Sequence, residues 1–207
     1  MALVDRVKQI LLAPRTEWPV IDAEPATVAS LYTGYIMPLA AIPAICNAIG
    51  MSMIGMTIPI VGTHFKTPFG TALISAAVTY CFTLIGVYLI ALIVDALAPS
   101  FGGTKNQVQA LKVVAYAYTA AWVGGILSLI PSISIIGLLF VLYSLYLLYL
   151  GLPVLMKAPE DKAVGYTVVA IICGIVVSWI AFAAVAALGF GMDHAAMGAA
   201  GAGAYRP

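Results

Sequence analysis

The stretch Asp95-Ala-Leu-Ala-Pro-Ser-Phe-Gly-Gly-Thr-Lys-Asn-Gln-Val-Gln-Ala-Leu-Lys112 decides how this chain folds. It is polar, and a long run without charged residues lies on either side of it, at 67–94 and 113–156. Crossing the roughly 30 Å of bilayer hydrocarbon takes about 20 apolar residues. The flanking runs therefore predict membrane helices, and the stretch itself predicts a loop that fixes the side of the bilayer on which its neighbours lie.

The composition supports a membrane protein. The 207 residues are 63% hydrophobic and 8% charged, and the mean hydropathy is +1.09. Soluble domains carry about 25% charged residues, so a water-soluble core does not account for this chain. The net charge of +1 gives no reason to expect a nucleic-acid partner. We predict an all-α, polytopic membrane protein.

Uncharged runs and the turn residues between them divide the chain into three parts. Residues 1–26 form an N-terminal arm, 27–190 a membrane domain and 191–207 a flexible external tail rich in Ala and Gly. Residues 50–63 are predicted to be an external segment, and the sequence leaves open whether they re-enter the membrane. The membrane domain should contain five transmembrane helices, at about 27–49, 69–94, 110–130, 135–153 and 164–189.

The N-terminal arm begins with an amphipathic pattern. Residues 3–12 place apolar side chains at helical spacing, with Asp5, Arg6, Lys8 and Gln9 on the other side. Such a helix either lies on the membrane surface as an interfacial helix or packs against the protein's own loops. Trp18 follows shortly before the first span and suits an interfacial anchor.

Basic residues near the span ends predict the orientation. With five spans, one side holds Arg6, Lys8, Arg15, Lys105, Lys112, Lys157 and Lys162, and the other side holds Lys66 and Arg206. One side of the membrane therefore has seven basic residues and the other side has two. Because basic residues favour the cytoplasmic side, we expect a cytoplasmic N-terminus and a periplasmic or external C-terminus.

Asp95 is the one carboxylate that could lie at membrane depth, where acids are costly and often functional. A helix that starts near residue 69 reaches the far interface by about residue 90, which places Asp95 among the headgroups. There it could bond backbone donors of the loop around 100–104, or contact a partner or lipid. Phe101-Gly-Gly-Thr-Lys105 lacks the residue order of a phosphate-binding loop.

A second set of polar residues suggests a solute path. Ser75, Thr79 and Thr83 recur every four residues in the second span, and Asn47 lies in the first, which Pro38 and Pro43 should bend. Bent and unwound helices line substrate sites in transporters. Close packing of small and hydroxylated residues between helices explains the same pattern.

We predict no catalytic, cofactor or metal site. The sequence has no nucleophile elbow, no HExxH motif and no carboxylate pair within an apolar run. His64 and His194 have no cysteine or acidic cluster beside them and are expected on the external side. The three cysteines lie far apart in apolar runs, as small packing residues do.

Several segments resemble bacterial members of the Yip-domain family of five-span membrane proteins. They are Pro14-x-x-x-Trp18, Asp95-Ala-Leu-Ala-Pro-Ser-Phe-Gly-Gly, Ala110-Leu-Lys-Val-Val-Ala-Tyr116 and Tyr143-Ser-Leu-Tyr-Leu-Leu-Tyr-Leu-Gly-Leu-Pro-Val-Leu-Met-Lys157. The resemblance covers about residues 5–185. The positions that match the family pattern are Asp95, Gly102, Gly103, Tyr116, Tyr143, Gly151 and Pro153.

The resemblance implies an inner-membrane protein with a cytoplasmic N-terminus. Eukaryotic relatives are implicated in vesicle traffic, interact with prenylated Rab GTPases and assemble with other family members. This sequence lacks their long N-terminal domain, so the resemblance does not carry a GTPase partner over to it. It also carries over no catalytic role.

Two functions follow as expectations. The first is a non-enzymatic protein that binds membrane lipids, other membrane proteins or a second copy of itself, either organising the membrane or serving as an accessory subunit. Its candidate partner- or lipid-contacting residues are Asp95, Gly102, Gly103, Lys105, Tyr116 and Trp18. The alternative is a small-solute transporter or channel lined by Asn47, Ser75, Thr79 and Thr83. An enzyme that acts on lipid is a third and weaker hypothesis.

Overall fold

The computed structural model describes residues 2–58 and 63–187. The predicted tail at 191–207 and part of the predicted external segment lie outside these ranges. Five described helices are long and apolar enough to cross a membrane, which confirms the predicted all-α, five-span fold. They are span 1 (Val28–Ile54), span 2 (Phe69–Phe101), span 3 (Gln107–Leu129), span 4 (Pro131–Leu155) and span 5 (Glu160–Val185).

Two short helices and two short strands complete the described structure. Helix α1 (Leu3–Leu12) and helix α2 (Pro14–Ala23) form an antiparallel hairpin that makes up most of the N-terminal arm. Pro14 stands in the first turn of α2, where a missing N–H costs nothing. Strands β1 (Met56–Ile58) and β2 (Thr63–Phe65) pair antiparallel between spans 1 and 2, with Met56 opposite Phe65.

Span 1 is irregular at two places. It runs as an α-helix over Val28–Leu31, widens to π-helical turns over Tyr32–Ile36, returns to α-helix over Met37–Ile49 and widens again over Gly50–Ile54. The first π-helical turn directly precedes Pro38, whose missing N–H interrupts the hydrogen-bond ladder. The helix ends at Ile54, past the predicted end at residue 49.

Span 3 is the central helix. In its most apolar stretch 67% of the residues are buried, against 17–28% in the other four spans, and its mean hydropathy is the lowest of the five. A helix surrounded by protein needs less apolar surface than one that faces lipid, which explains both values. The helix breaks at Tyr118 and tightens to a 3₁₀ helix over Gly125–Leu129.

The remaining spans end in capped or tightened turns. Span 2 finishes as a 3₁₀ turn over Ala98–Phe101 and stops at Gly102, whose φ of +76° favours glycine. Span 4 begins as a 3₁₀ helix over Pro131–Ile136 and continues as an α-helix over Gly137–Leu155. Span 5 carries Glu160 and Asp161 in its first turn, where carboxylates complement the helix dipole.

Large apolar side chains cover the outside of the bundle. The outward-facing set on spans 4 and 5 includes Leu139, Leu142, Ile172, Trp179 and Phe182. So large an exposed apolar surface marks contact with a membrane or a partner. The buried core is densest where the N-terminal arm meets spans 3 and 4, around Trp18, Ile21, Leu111, Leu152 and Met156.

Candidate functional site

A charged network lies inside the molecule where the N-terminal arm packs against span 3. Arg6 of α1 is only 4% exposed and pairs with Glu17 of α2 and with Glu24 just beyond it. The Arg6 guanidinium also lies 5.9 Å from the centre of the Tyr116 ring. We call Arg6, Glu17, Glu24, Lys112 and Tyr116 the arm cluster. Buried charges are tolerated when they are paired in this way.

Helix α1 turns Arg6 inwards and leaves Asp5 and Lys8 exposed. Arg6 and Ile10 stand one helical turn apart and are both buried, while Val4 is 61% and Leu12 83% exposed. The arm therefore packs against the protein, one of the two expectations for residues 3–12, and still presents apolar side chains outwards. The inward position of Arg6 allows its guanidinium to pair with both Glu17 and Glu24.

Lys112 fastens the end of α2 to span 3. Its ammonium donates to the carbonyl oxygen of Ile21, at 2.8 Å, and to that of Glu24. The last carbonyls of a helix have no partner within it, so a lysine here satisfies acceptors that would otherwise be buried without one. Lys112 is 3% exposed. Lys112 is thus one of the basic residues that predict the orientation, and it also holds the end of α2 against span 3.

Asp22 joins the arm to two further elements. Its carboxylate pairs with Lys157, in the loop after span 4. The amide of Gln109 on span 3 donates to Asp22 Oδ1, at 2.9 Å, and to the Asp22 carbonyl, at 3.2 Å. The arm, the start of span 3 and the end of span 4 therefore meet at one end of the bundle.

Tyr116 connects the arm cluster to the irregular parts of spans 1 and 3. The Tyr35 ring lies 4.5 Å from the Tyr116 ring, and the Tyr35 hydroxyl is 2.7 Å from the Thr119 hydroxyl. Tyr35 belongs to the π-helical turn of span 1, and Thr119 follows the break in span 3. The hydrogen bond thus pairs two places where helical hydrogen bonding is disturbed.

Trp18 and Tyr116 differ from the expectation that they contact lipid or a partner. Trp18 is 1% exposed, packs edge-on against Tyr116 at 6.4 Å and fills a notch at Gly151. A Cβ on Gly151 would lie 2.6 Å from Val113 Cγ2 and 2.7 Å from Trp18 Cζ2. Burial keeps both aromatic rings from an outside ligand, so in this structure their role is packing.

Asp95 does not bond the loop donors expected for it. The N–H groups of Gly102, Gly103 and Thr104 donate to carbonyl oxygens of Pro99, Ala98 and Met156. Asp95 Oδ1 is buried and has no hydrogen-bond partner among residues 2–58 and 63–187. The contribution of Asp95 to a partner or lipid contact stays a prediction.

The other loop candidates are accessible to different degrees. Gly102 and Lys105 are exposed. Gly103 is half-buried, because a Cβ there would lie 2.6 Å from the Met156 carbonyl oxygen. Lys105 is accessible, and its contact with a lipid or a partner stays a prediction, whereas Gly103 allows the close approach of the loop to the end of span 4.

The candidate solute-lining residues lie exposed or half-buried on spans 1 and 2. Asn47 and Thr79 are exposed on the outside of spans 1 and 2, Ser75 and Thr83 are half-buried, and the Thr83 hydroxyl donates to the Thr79 carbonyl at 2.9 Å. Two surface hollows in the described part of the chain have other linings. One lies at the turn between α1 and α2 and the other between spans 2 and 5.

The arm cluster is suited to holding elements together rather than to proton transfer on a substrate. Each charge in it already faces a partner within the protein, and Arg6, Glu17 and Lys112 are buried. Within residues 2–58 and 63–187, no group of three or more His, Cys, Asp or Glu side chains could hold a metal ion.

Comparison with known proteins identifies the family. Residues 8–182 match the Yip1 domain, which is most of the chain. The chain belongs to the Yip1-domain family. This confirms the resemblance seen in the sequence, and the matched range includes Glu17, Glu24, Lys112 and Tyr116 of the arm cluster.

Two relatives carry names that give their location. The inner membrane protein YohC of Escherichia coli K12 is 27% identical over 167 residues, which cover 79% of this chain and 85% of YohC. The YohC protein of Escherichia coli O6:H1 gives the same values. No solved structure matches. The chain is thus a multi-pass membrane protein similar to bacterial inner-membrane proteins.

Sequence reasoning missed most of the arm cluster. The sequence pattern shows Arg6 and Lys112 as topology signals and Arg6 as part of the polar side of α1, and it assigns no role to Glu17 and Glu24. The seven-residue spacing of the two glutamates, which places them on one side of a helix, was an available signal. It could not by itself identify Arg6 as their common partner.

Proposed function

We propose that this Yip1-domain protein is a non-enzymatic inner-membrane protein that acts by binding, either organising the membrane or serving as an accessory subunit of a membrane complex. The use of its charges supports this proposal. Internal contacts occupy the charged groups of Arg6, Glu17 and Lys112, and the outer surface of the bundle is largely apolar. Such a surface suits contact with lipids and other membrane helices.

The observation that carries the proposal is an apolar hollow between spans 2 and 5. It measures about 130 Å³, and Gly86 and Val177 are among its lining residues. Small residues let helices approach closely in a membrane, where dispersion contacts rather than hydrophobic burial drive association. The other lining residues are all apolar: Phe82, Ile85, Leu89, Ile180 and Ala181.

Filling the hollow tests the proposal. A Cβ on Gly86 would meet only Val177 Cγ1, at 3.9 Å, so Gly86→Leu should fold and occupy the hollow. We expect it to reduce self-association or partner capture, measured by crosslinking in native membranes and mass spectrometry of the products. Gly70→Leu is the matched control, because a Cβ at this position of the same helix meets nothing within 4 Å.

Two outcomes would count against binding as the function. The wild-type protein could leave native membranes in mild detergent as a bare monomer, with neither specific lipid nor protein attached. Alternatively, Gly86→Leu and Gly70→Leu could leave every crosslinked product unchanged, which would exclude the hollow as the binding surface.

We further infer that the N-terminus is cytoplasmic and the C-terminus periplasmic or external. Lys105, Lys112, Lys157 and Lys162 belong to the end of the bundle that carries the N-terminal arm, whereas Lys66 precedes span 2 at the other end. Basic residues favour the cytoplasmic side. A reporter that fluoresces only in the cytoplasm should stay dark when it is fused after residue 205. Fluorescence from this fusion would show that the C-terminus is cytoplasmic and would reverse the orientation.

Transport of a small solute is the second candidate. It is favoured by the Tyr35–Thr119 hydrogen bond, which joins a π-helical turn to a break in the central helix, since interrupted helices line substrate sites in transporters. Transport would be supported if the wild-type protein carried a solute into proteoliposomes and if Tyr35→Phe and Thr119→Val each abolished that flux. Flux lost in Thr79→Val would favour the second-span stripe instead.

A further inference from the structure

The N-terminal arm sorts its charges between its two sides. Residues 1–26 contain four acids and three bases, so the arm is formally anionic. Three acids are turned to internal partners: Glu17 and Glu24 pair with Arg6, and Asp22 pairs with Lys157. The charges left on the outer side are Lys8, Arg15 and Asp5, all exposed.

The outer side of the arm is therefore cationic, which the composition of the arm does not show. Neither Lys8 nor Arg15 forms an ion pair with any carboxylate that the structure describes. Val4, Lys8 and Leu12 recur every four residues and so share one side of α1. Lys8 thus stands between two exposed apolar side chains, and basic and apolar side chains together suit an anionic membrane surface.

A hollow at the tip of the arm adds a place for a ligand. It measures about 230 Å³ and lies where Arg15 and Leu12 face Tyr146 of span 4. Its other lining residues are Ala13, Pro14 and Thr16. The Thr16 hydroxyl donates to the Ala13 carbonyl at 3.0 Å, which keeps the turn closed and leaves the Arg15 side chain outside it.

The hollow lies where the apolar outer surface of span 4 ends. The Tyr143 hydroxyl donates to the Leu11 carbonyl at 2.7 Å, which fixes the tip of the arm beside this part of the span. From Ile135 to Leu142 the exposed side chains are aliphatic, and further along span 4 Tyr146 and Tyr149 are exposed. Aromatic side chains of this kind collect at the boundary between hydrocarbon and headgroups.

We propose that the outer side of the arm is a binding site for an anionic phospholipid. Arg15, supported by Lys8, binds the phosphate in the hollow, and Leu12 reaches the upper part of the acyl chains. The Tyr146 hydroxyl lies at the level of the headgroup. The site deepens the proposed binding function by naming its ligand, and it rests on that function.

Lipid retention tests the site. The full chain is purified in mild detergent with equal amounts of phosphatidylglycerol and phosphatidylcholine, and native mass spectrometry counts the molecules of each that stay bound. Wild-type protein should prefer phosphatidylglycerol. Arg15→Gln should lower the ratio about fivefold, the usual effect of one basic residue near an anionic surface. Arg15→Lys should keep most of the preference.

Lys162→Gln is the matched control, because Lys162 is an exposed base at the same end of the bundle but outside the arm. It should leave the ratio unchanged. An equal fall in Lys162→Gln would show a general effect of basic charge and overturn the site. So would an unchanged ratio in the double variant Lys8→Gln with Arg15→Gln.

The failure of this site and the failure of the proposed function give different results. If wild-type protein and the Lys8 and Arg15 variants retained phosphatidylglycerol equally, the site would be removed and the binding function would stand. Wild-type protein that retains neither lipid nor any protein partner would remove both.

Discussion

The two ends of the helical bundle are held together by different physical means. At the end that carries the N-terminal arm, Arg6, Lys112 and Asp22 make ion pairs and hydrogen bonds between elements. At the other end, Gly50 and Gly125 bring backbones into direct contact, against Ser128 and Leu129 in one case and against Pro43 in the other. Charged contacts stand where water is near, and close packing takes over where the surroundings are apolar.

The difference concerns specificity as much as stability. A buried ion pair gains little net energy over well-packed apolar side chains, because both ions lose their hydration. It does penalise any arrangement that separates the partners. The arm, joined to span 1 by a short connection, has no membrane span of its own to hold it. We infer that the arm cluster chiefly fixes its position, while the glycine contacts provide the packing of the spans.

Replacing Arg6 should have the largest effect on stability, because it disrupts the charged contacts at the arm end of the bundle. Arg6→Met keeps most of the side-chain volume but leaves Glu17 buried without its partner. Loss of one member of a buried pair costs about 3–5 kcal/mol. We expect a fall of that order in the free energy of unfolding, measured by SDS titration in detergent micelles, and greater protease sensitivity of the arm.

The double variant Arg6→Met with Glu17→Gln is the control, since it removes the uncompensated charge. It should recover a clear part of the lost stability. Equal losses in the single and the double variant would mean that packing volume at position 6, rather than charge, holds the arm.

A methyl group at Gly50 should have the next largest effect. The Cβ of Gly50→Ala would lie 2.9 Å from the Leu129 carbonyl oxygen and would overlap the Ser128 carbonyl oxygen. Backbone atoms cannot swing aside as a side chain can, so the cost should be about 1–3 kcal/mol, as in overpacked cores. The same SDS titration measures it.

Gly34→Ala in the same span is the matched control, because a Cβ there meets nothing within 4 Å. It should leave stability unchanged or raise it slightly. If Gly50→Ala were as mild as Gly34→Ala, the spans at this end would be loosely packed, and the contrast between the two ends would disappear.

The fold could be predicted from the sequence because its main signals are local. Long runs without charges specify membrane helices directly, since an unpaired charge in hydrocarbon is costly. Pro131 and the charged loop after Lys157 marked the breaks on either side of span 4. The π-helical turns of span 1 were not foreseen, although Pro38 and Pro43 had predicted some departure from a regular helix.

The candidate site could not be predicted in the same way, because its contacts join distant parts of the chain. Lys112 bonds carbonyls 88 and 91 residues away, and Trp18 fills a notch at Gly151. A sequence pattern shows that α1 is amphipathic but not which of its sides faces the protein. That choice depends on Glu17 and Glu24, whose pairing with Arg6 appears only once the hairpin is formed.

The ion pair between Asp22 and Lys157 should contribute least to stability. It therefore provides an exposed pair to compare with the buried Arg6–Glu17 pair at the same end of the bundle. The Lys157 side chain is 55% exposed, against 4% for Arg6. Exposed pairs are worth about 0.2–1 kcal/mol and are screened by salt. Asp22→Asn removes the charge and keeps an oxygen for the Gln109 amide, so it should lower the melting temperature slightly at low salt and not at about 1 M salt.

Salt dependence is the property that separates the two pairs. Lys157→Gln should reproduce the small, salt-sensitive loss of Asp22→Asn, whereas the loss in Arg6→Met should persist at high salt because Arg6 and Glu17 are buried. If the Arg6→Met effect also vanished in salt, the arm cluster would be open to solvent. The arm would then be held mainly by Trp18 and its apolar neighbours, as the glycine-packed end is held by its close contacts.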